Sequence, residues 1–287
     1  MSKSILFKDY KKYETIVKNY DGKTLDTSKY NFLAPTTLIP LLAFTMKEKI
    51  TDIKVNETTK DYVKKILRGE PTPTNTPFLI LSKESRVING KKVGTWMVEK
   101  IPDNYVEYMG SRSVSEIISE LVDNIYDHTY FTEEKNSQGY TYAQIYPNAY
   151  KVDICIYDDG LSIPGRFTKS GIIYDDDCHA IEKAIGSIST KENSKERGNG
   201  LGTCLKLMEA NQGEALIISR QGCLEINGNN KTYQYHHLNN KDYFKGTLIT
   251  IRVANNPIQF YDVFGDGYIY NTPYKYNGDE KKCNTFY

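Results

Sequence analysis

One stretch of apolar residues at the period of an α-helix constrains the fold most. These residues, spaced three or four apart, are Val114, Ile117, Ile118, Leu121, Val122 and Ile125. Ser113, followed three residues later by Glu116, has the pattern of a capping box at a helix start. Glu120, Asn124 and Asp127 fall within about 60° of one another on a helical wheel, beside the apolar face. The stretch therefore predicts a helix that packs on a sheet and presents two carboxylates and an amide along one line.

Length and charge limit the class of protein. The chain has 287 residues, enough for two compact domains. Its 37 Lys and Arg residues balance 36 Asp and Glu residues, which argues against a nucleic-acid binder that acts through bulk charge. The first residues lack the apolar segment of a signal peptide, and no apolar run reaches the ~18 residues of a membrane span. We therefore expect a cytoplasmic protein that does not bind membranes.

The cysteines and histidines show no ligand or disulfide pattern in the sequence. Five cysteines occur without a C-x-x-C pair, and the spacing of the four histidines is not that of a metal site. We expect the thiols to be buried, and His236 and His237 to lie at the surface.

The order of predicted elements divides the chain into three parts. Residues 1–102 are predicted to form a small α/β domain, with strands in "TDIKV" and "FLILS" and a helix capped by Asn56 that ends near Gly69. This order of elements is similar to that of the STAS-like regulatory fold. Residues 103–255 are predicted to form a second domain that contains the hairpin "YAQIYPNAYKVDICIY". Residues 256–287 form a polar tail rich in Tyr and Asn, which is expected to be loosely packed or disordered.

Two further stretches place polar groups at predicted strand ends. In "KVDICIYDDGLSIP", an alternating strand ends at Asp158, and Gly160 allows a sharp turn just after it. A carboxylate in this position can accept a hydrogen bond from an exocyclic amine. In "KGTLITIRV", Gly246 and Thr247 lead into another alternating strand, where the hydroxyl can bond a base or a water. Alone, either stretch is also typical of an ordinary turn.

A glycine-rich stretch, "RGNGLGTCLKLMEA", precedes a second amphipathic helix. Gly198, Gly200 and Gly202 open this helix. Glycines at a helix start allow an anion to approach the exposed N–H groups, and the helix dipole favours phosphate there. Glycines also occur at ordinary helix caps, so this stretch alone is weak support for a phosphate site.

In this order, the four stretches resemble the Bergerat-fold (GHKL) ATPases, the family of DNA gyrase, the heat-shock chaperone, histidine kinases and the MutL repair proteins. "ELVDNIYDH" resembles the N box, "DDGLSIP" the G1 box, "GNGLG" the G2 box and "GT" the G3 box. The resemblance covers residues 113–253, about half of the chain. It implies an α/β two-layer sandwich with a mixed sheet, preceded by the small α/β amino-terminal domain.

The resemblance also implies a role for each matching residue. Glu120 would orient or deprotonate the water that attacks the γ-phosphate of ATP, and Asn124 would bind Mg²⁺. Asp158 would accept a hydrogen bond from adenine N6, and Thr247 would help to bind the base. The other implied nucleotide-binding positions are Asp127, Gly160, Ile163, Lys191, Gly198, Gly200, Leu201, Gly202 and Thr203.

Ser162 departs from the family pattern, which usually has a glycine there. We therefore expect the local backbone to avoid a glycine-only conformation. The stretch from Gly165 to Arg197 has few apolar residues outside one helix around Ala180 to Ile185. We expect this stretch to be a lid that orders over ATP, with Lys191 reaching the phosphates.

The expected function is an ATPase switch with a regulatory or signalling role, which binds ATP and ADP with Mg²⁺ and acts on a protein partner or through self-association. Two alternatives stay open: a Ser/Thr protein kinase of the anti-sigma-factor type, and an interaction module that binds nucleotide without turnover. No histidine precedes His128, which argues against a histidine-kinase phosphoacceptor helix before this domain. The short segment after Val253 argues against gyrase-type strand passage and mismatch repair.

Overall fold

The computed structural model describes residues 3–70, 78–81, 90–100, 111–128, 137–186, 200–238, 243–254, 256–258 and 263. The helices are α1 (Ile5–Lys18), α2 (Pro35–Glu48), α3 (Lys60–Leu67), α4 (Gly90–Lys100), α5 (Ser111–His128), α6 (Ser162–Lys169), α7 (Asp177–Ile185) and α8 (Gly200–Ala210). The strands are β1 (Thr24–Asp26), β2 (Asp52–Lys54), β3 (Phe78–Leu81), β4 (Gly139–Tyr146), β5 (Lys151–Asp158), β6 (Glu214–Arg220), β7 (Gly222–Asn227), β8 (Thr232–His237) and β9 (Phe244–Val253).

Seven of the strands form one sheet in the order β3-β4-β5-β9-β6-β7-β8. Every described pairing in this sheet is antiparallel, and β1 and β2 form a separate parallel pair. The predicted α/β class and the β4–β5 hairpin are confirmed. The predicted mixed sheet is wrong for the large sheet. Short connections make β4 and β5, and β6, β7 and β8, antiparallel neighbours. Strand β9 also runs antiparallel to both β5 and β6.

Helices cover both faces of the large sheet. Successive residues of a strand point to opposite faces. On β5, Ile154 and Ile156 pack with α4, α5 and α8, and we call this side the site face. Cys155 and Tyr157 pack with α1, α2 and α3 on the opposite side, the amino-terminal face. The molecule therefore has three layers, where the sequence predicted two layers and a separate domain.

The region predicted as an amino-terminal domain shares a core with the sheet. Helix α2 is buried over most of its surface, as its apolar sequence predicts. The buried hydroxyl of Thr36 donates to that of Thr250 on β9 at 3.1 Å. Strand β3 is an edge strand of the same sheet. The predicted boundary at residue 102 lies outside the described residues, as does most of the predicted tail.

Two predicted helix starts are wrong by a few residues. Helix α3 begins at Lys60 after Thr59, whereas Asn56 accepts a hydrogen bond from the Thr58 N–H in the preceding turn, at 3.0 Å. Helix α5 begins at Ser111, so Ser113 lies inside its first turn. Local side-chain bonds of Asn and Ser occur in turns as well as in caps, which explains both errors. None of the helices in the described part of the chain combines the length and hydrophobicity that crossing a bilayer requires.

Candidate functional site

Three polar side chains line up across adjacent strands at one end of the site face. Asp158 ends β5 and is the register partner of Thr247 on β9, which in turn is the partner of Ser219 on β6. The hydroxyls of Ser219 and Thr247 are 3.0 Å apart. We call these residues the strand-end row. Ser219 and Thr247 are buried and Asp158 is half-buried. The strand-end row is therefore closed to solvent at Ser219 and accessible to solvent at Asp158.

Local hydrogen bonds fix the carboxylate of Asp158. The Gly160 N–H donates to Asp158 Oδ1 at 2.9 Å, so the chain turns directly after β5. The neighbouring Asp159 has a different role. Its Oδ1 accepts a hydrogen bond from the Gln138 N–H at 2.6 Å, which connects the turn to the start of β4. Gly246 has a φ of +79°, and a Cβ there would overlap the Asp158 carbonyl group. A residue with a side chain at position 246 would therefore push β9 away from the end of β5.

Ser162 adopts the conformation that the sequence analysis expected it to avoid. Its φ is +71°, in the left-handed region that favours glycine, so this prediction was wrong. The Ser162 hydroxyl accepts a hydrogen bond from the Gly165 N–H at 3.2 Å, which offsets part of the backbone strain. The next residue, Ile163, donates its N–H to Ser219 Oγ at 2.9 Å. The first turn of α6 is thus attached to the strand-end row.

Helix α8 begins against the polar line of α5. A Cβ built on Gly200 would lie 2.5 Å from Glu120 Oε2 and 3.5 Å from Asn124 Oδ1. Both side chains are half-buried, and Asp127 is exposed on the next turn. The first N–H groups of a helix have no intrahelical acceptor, and the helix dipole makes this end electropositive. A carboxylate and an amide therefore lie beside a group of N–H donors.

The residues of α5 and α8 beneath this polar contact are buried. Thr203 is buried, and Leu201 packs against the core of the site face. The Cys204 thiol donates to the Ile117 carbonyl at 3.7 Å. Burial raises the pKa of the Cys204 thiol well above its usual value, and the carboxylate of Glu120 adds to the effect. These buried contacts fix the position of α5 relative to α8 and so hold Glu120 in place.

The two polar groups lie at the same end of the site face. Gly139 on β4 is the register partner of Asp158. A Cβ on Gly139 would lie 2.6 Å from Ile125 Cγ2, so α5 crosses the sheet in contact with this position. Ile125 follows Asn124 directly. The fold therefore brings the polar line of α5 close to the strand-end row.

The structure brings together most of the residues that the sequence singled out. Glu120, Asn124 and Gly200 lie together where α5 meets α8. Asp158, Gly160, Ile163 and Thr247 lie together at the strand-end row. Gly202 contacts another element, because a Cβ there would lie 2.9 Å from the Ile185 carbonyl oxygen at the end of α7. Lys191 and Gly198 lie outside the described residues. Asp127 is on the same helix but exposed.

Sequence reasoning missed Ser219 and Gly139. Ser219 continues the alternation of Ala215 and Ile217 on β6, so it is the polar residue at the end of an apolar series. That break in the pattern was a usable signal. Gly139 has no such signal, because its importance comes from the approach of Ile125 in three dimensions.

No protein-family model matches the chain, and no curated protein does. The chemistry of the site therefore has to be argued from its own groups: one carboxylate and one amide beside a helix start, and a second carboxylate beside two hydroxyls.

Proposed function

We propose that this chain is a magnesium-dependent ATP-binding protein of the Bergerat-fold (GHKL) family, and that it works as an ATPase switch with a regulatory or signalling role. The observation that carries the proposal is the start of α8 lying against Glu120 and Asn124, at the same end of the sheet as Asp158 and Thr247. A nucleotide needs the first group for its phosphates and the second group for its base, and it needs them side by side.

The groups near α8 suit a magnesium ion and phosphates. Mg²⁺ prefers oxygen ligands and is usually held by one or two protein groups together with phosphate oxygens and waters. Asn124 would hold the ion, which supplies charge neutralisation for the phosphates. Gly200 has no side chain, and this leaves space between the helix start and the two α5 side chains. The N–H groups of the first turn of α8 would bind phosphate oxygens.

Glu120 is the candidate general base. It lies at the start of α8, where the terminal phosphate would be bound, and its half-buried position limits access of bulk water. A carboxylate there would orient the attacking water and accept its proton. The buried packing of α5 on α8 would hold the carboxylate in a fixed position during this step.

The strand-end row suits an adenine base. A carboxylate offers about four acceptor positions, so accepting from the Gly160 N–H is compatible with accepting from the N6 amine as well. Ser219 holds the Thr247 hydroxyl at 3.0 Å, which orients it beside Asp158. Asp158 would therefore select adenine, and Thr247 would assist directly or through a water.

The end of α7 offers a route for signalling. The Ile185 carbonyl lies next to Gly202, so the segment that follows the adenine motif touches the phosphate-binding helix. Binding of the γ-phosphate at α8 would then change the contacts at the end of α7, which lies within the predicted lid of Gly165 to Arg197. A protein partner, or a second copy of the chain, would bind differently after this change.

Calorimetry of the Asp158→Asn variant tests nucleotide binding. Loss of a hydrogen bond to a charged group typically costs about 1.5–3 kcal/mol, so ATP affinity should fall roughly 10- to 150-fold. Asp159→Asn is the matched control, because that neighbouring carboxylate bonds to Gln138, and it should keep the wild-type affinity. Equal affinities in wild type and Asp158→Asn would refute the adenine assignment, and absence of ATP binding by wild type would refute the function.

Phosphate release by the Glu120→Ala variant tests the ATPase activity. The variant should still bind ATP but lose steady phosphate release by about 10²–10⁴-fold, as expected for a lost acid–base group. Transfer of labelled γ-phosphate to a protein, with negligible free phosphate from wild type, would favour the kinase alternative. ATP binding without either activity would favour the interaction module.

A further inference from the structure

A second group of reactive side chains lies where α7 begins beside the end of β8. Asp176 is the N-cap of α7, Cys178 lies in its first turn, and His237 is the last residue of β8. One ligand atom from each of these residues lies within 4.8 Å of the other two. His237 Nε2 is 3.3 Å from Asp176 Oδ2. None of the three belongs to the strand-end row or to the polar line of α5.

We propose that Asp176, Cys178 and His237 form a binding site for a transition-metal ion, with Zn²⁺ the ion that this ligand set fits best. Carboxylate oxygen, thiolate sulfur and imidazole nitrogen are the three ligand types that Zn²⁺ accepts together, whereas Mg²⁺ and Ca²⁺ need oxygen ligands. Three protein ligands leave a fourth tetrahedral position for a water molecule.

The distances are close to those of a tetrahedral zinc site. With Zn–N and Zn–O near 2.0–2.1 Å and Zn–S near 2.3 Å, neighbouring ligand atoms are about 3.3–3.7 Å apart. The separation of His237 Nε2 and Asp176 Oδ2 is already in this range. The remaining separations are no longer than 4.8 Å, so they have to shorten by up to about 1.5 Å, which side-chain rotations can supply.

The surroundings of the ligands also suit a metal ion. Asp176 Oδ1 accepts from the His179 N–H at 2.8 Å, so the cap bond orients the carboxylate, and Oδ2 is the atom nearest His237. Metal-binding carboxylates are commonly held in this way. Cys178 lies in the first turn of the same helix, so one helix start supplies two of the three ligands.

A metal ion would replace the proton of the Cys178 thiol. That thiol now donates to the His236 carbonyl at 3.3 Å, and burial raises its pKa. On binding, the proton leaves to solvent and a sulfur–metal bond forms, so affinity should rise with pH. The side chains of Asp176 and His237 are 49% and 55% exposed, which gives the ion a path from solvent and leaves room for the water ligand.

The site would join two elements that are far apart in sequence. It would fasten the start of α7 to β8, and α7 lies within the predicted lid. Metal binding at this position does not depend on nucleotide, so the two proposals fail separately: loss of ATP binding leaves the metal site untouched, and the reverse also holds.

Metal titration of the untagged, chelator-treated full chain, without nucleotide, tests the site. Co²⁺ is the spectroscopic probe, because a cobalt–thiolate bond gives a charge-transfer absorption band, and Zn²⁺ is then added in competition and measured by calorimetry. We expect one equivalent of Zn²⁺ to bind and to displace the cobalt signal. Cys178→Ser should abolish the charge-transfer band.

Two further variants and a control decide which residues bind the ion. Asp176→Asn keeps an oxygen for the helix cap, and His237→Gln removes the imidazole. Each should weaken Zn²⁺ binding by more than the ~10–100-fold that loss of an outer-sphere partner costs. His179→Gln is the control, since the His179 ring pairs with Asp175 at 2.7 Å and is not one of the three clustered ligands, and it should leave affinity unchanged. Absence of Zn²⁺ binding by wild type, or equal affinity in wild type and all three ligand variants, would overturn the proposal.

Discussion

Strand β5 carries two carboxylates, Asp153 and Asp158, in opposite surroundings. Asp153 is fully buried on the amino-terminal face, where Arg252 Nε and Nη2 donate to its two oxygens, each at 2.7 Å. The Tyr146 hydroxyl also donates to it at 3.0 Å. Asp158 is half-buried on the site face, at the end of the strand, beside two hydroxyls.

The difference separates a carboxylate that is used up by its protein partners from one that is open to a ligand. A carboxylate taken out of water must be fully compensated by a cation and hydrogen bonds, and it then has no capacity left for a ligand. A carboxylate at a strand end keeps contact with solvent and avoids most of that desolvation cost. Substitutions at Asp153 and its partner should therefore change the free energy of unfolding, whereas substitutions at Asp158 should change binding.

The largest expected effect is that of Arg252→Leu. Removing one partner of a buried ion pair leaves an uncompensated charge, which typically costs about 3–5 kcal/mol of the free energy of unfolding. Urea denaturation measures this loss. Asp158→Asn is the comparison variant and should change stability by less than about 1 kcal/mol, because the amide oxygen can still accept from the Gly160 N–H. If the two variants lost similar free energies of unfolding, Asp153 and Asp158 would contribute to stability in the same way.

The second prediction concerns alkaline pH and the amino-terminal face. Burial raises the pKa of the Cys155 thiol from 9.0 to about 12. The folded state therefore holds this proton more tightly than the unfolded chain does. The resulting stability is fully present below pH 9 and is lost between pH 9 and about 12.

Cys155→Ala should reduce the alkaline loss of stability by about 1.4 kcal/mol per pH unit in that range. Urea unfolding at several pH values on either side of 9 measures the slope. Below this pH, wild type and variant should show the same pH dependence. An unchanged slope above it would mean that the thiol titrates alike in the folded and unfolded chains.

The third prediction uses the left-handed conformation of Ser162. Both Ser162→Gly and Ser162→Ala lose the hydrogen bond to Gly165, but only glycine relieves the backbone strain. The glycine variant should therefore be more stable than the alanine variant by about 1 kcal/mol. Thermal and urea unfolding of the pair measure this difference. An alanine variant as stable as the glycine variant would show that the backbone at position 162 is unstrained.

The smallest expected effect on stability is that of Gly200→Ala. The added Cβ meets the end of the Glu120 side chain, which can move, so the free energy of unfolding should change by less than about 1 kcal/mol. The displaced carboxylate should nevertheless slow the proposed ATP hydrolysis, since misplacement by about 1 Å can cost about 10²-fold. An unchanged rate of hydrolysis at unchanged stability would show that Glu120 does not act in the reaction.

Local pattern was enough to predict several elements and part of the site. The apolar period of α5, the alternation in β5 and β9 and the glycines before α8 are each encoded within a few residues. For the same reason, the α7 helix around Ala180 was predicted correctly. The four cysteines among the described residues are buried free thiols, as the absence of a pairing pattern indicated.

Features that depend on contacts between distant residues were not predictable from the sequence. No sequence pattern within α1 or α2 shows that these helices cover the second face of the sheet, because their apolar sides could pack on any apolar surface. His237 has no metal-ligand spacing along the chain, and its nearness to Cys178 comes from the packing of α7 on β8. The conformation of Ser162 was mispredicted because residue preference was weighed without the hydroxyl bond that compensates it.

The position of β9 has a consequence for how the chain assembles during its synthesis. β9 follows the other six strands of the sheet in sequence, yet it lies between β5 and β6 and is the strand that joins the two halves. Until residue 253 has left the ribosome, β5 and β6 each expose an unpaired inner edge, and Asp158 is paired on one side only, with Gly139 on β4. Such late, long-range pairing is slow and exposes aggregation-prone edges. A nascent chain stalled before β9 should therefore be recognised by chaperones, and it should acquire protease resistance in a single step once β9 is released.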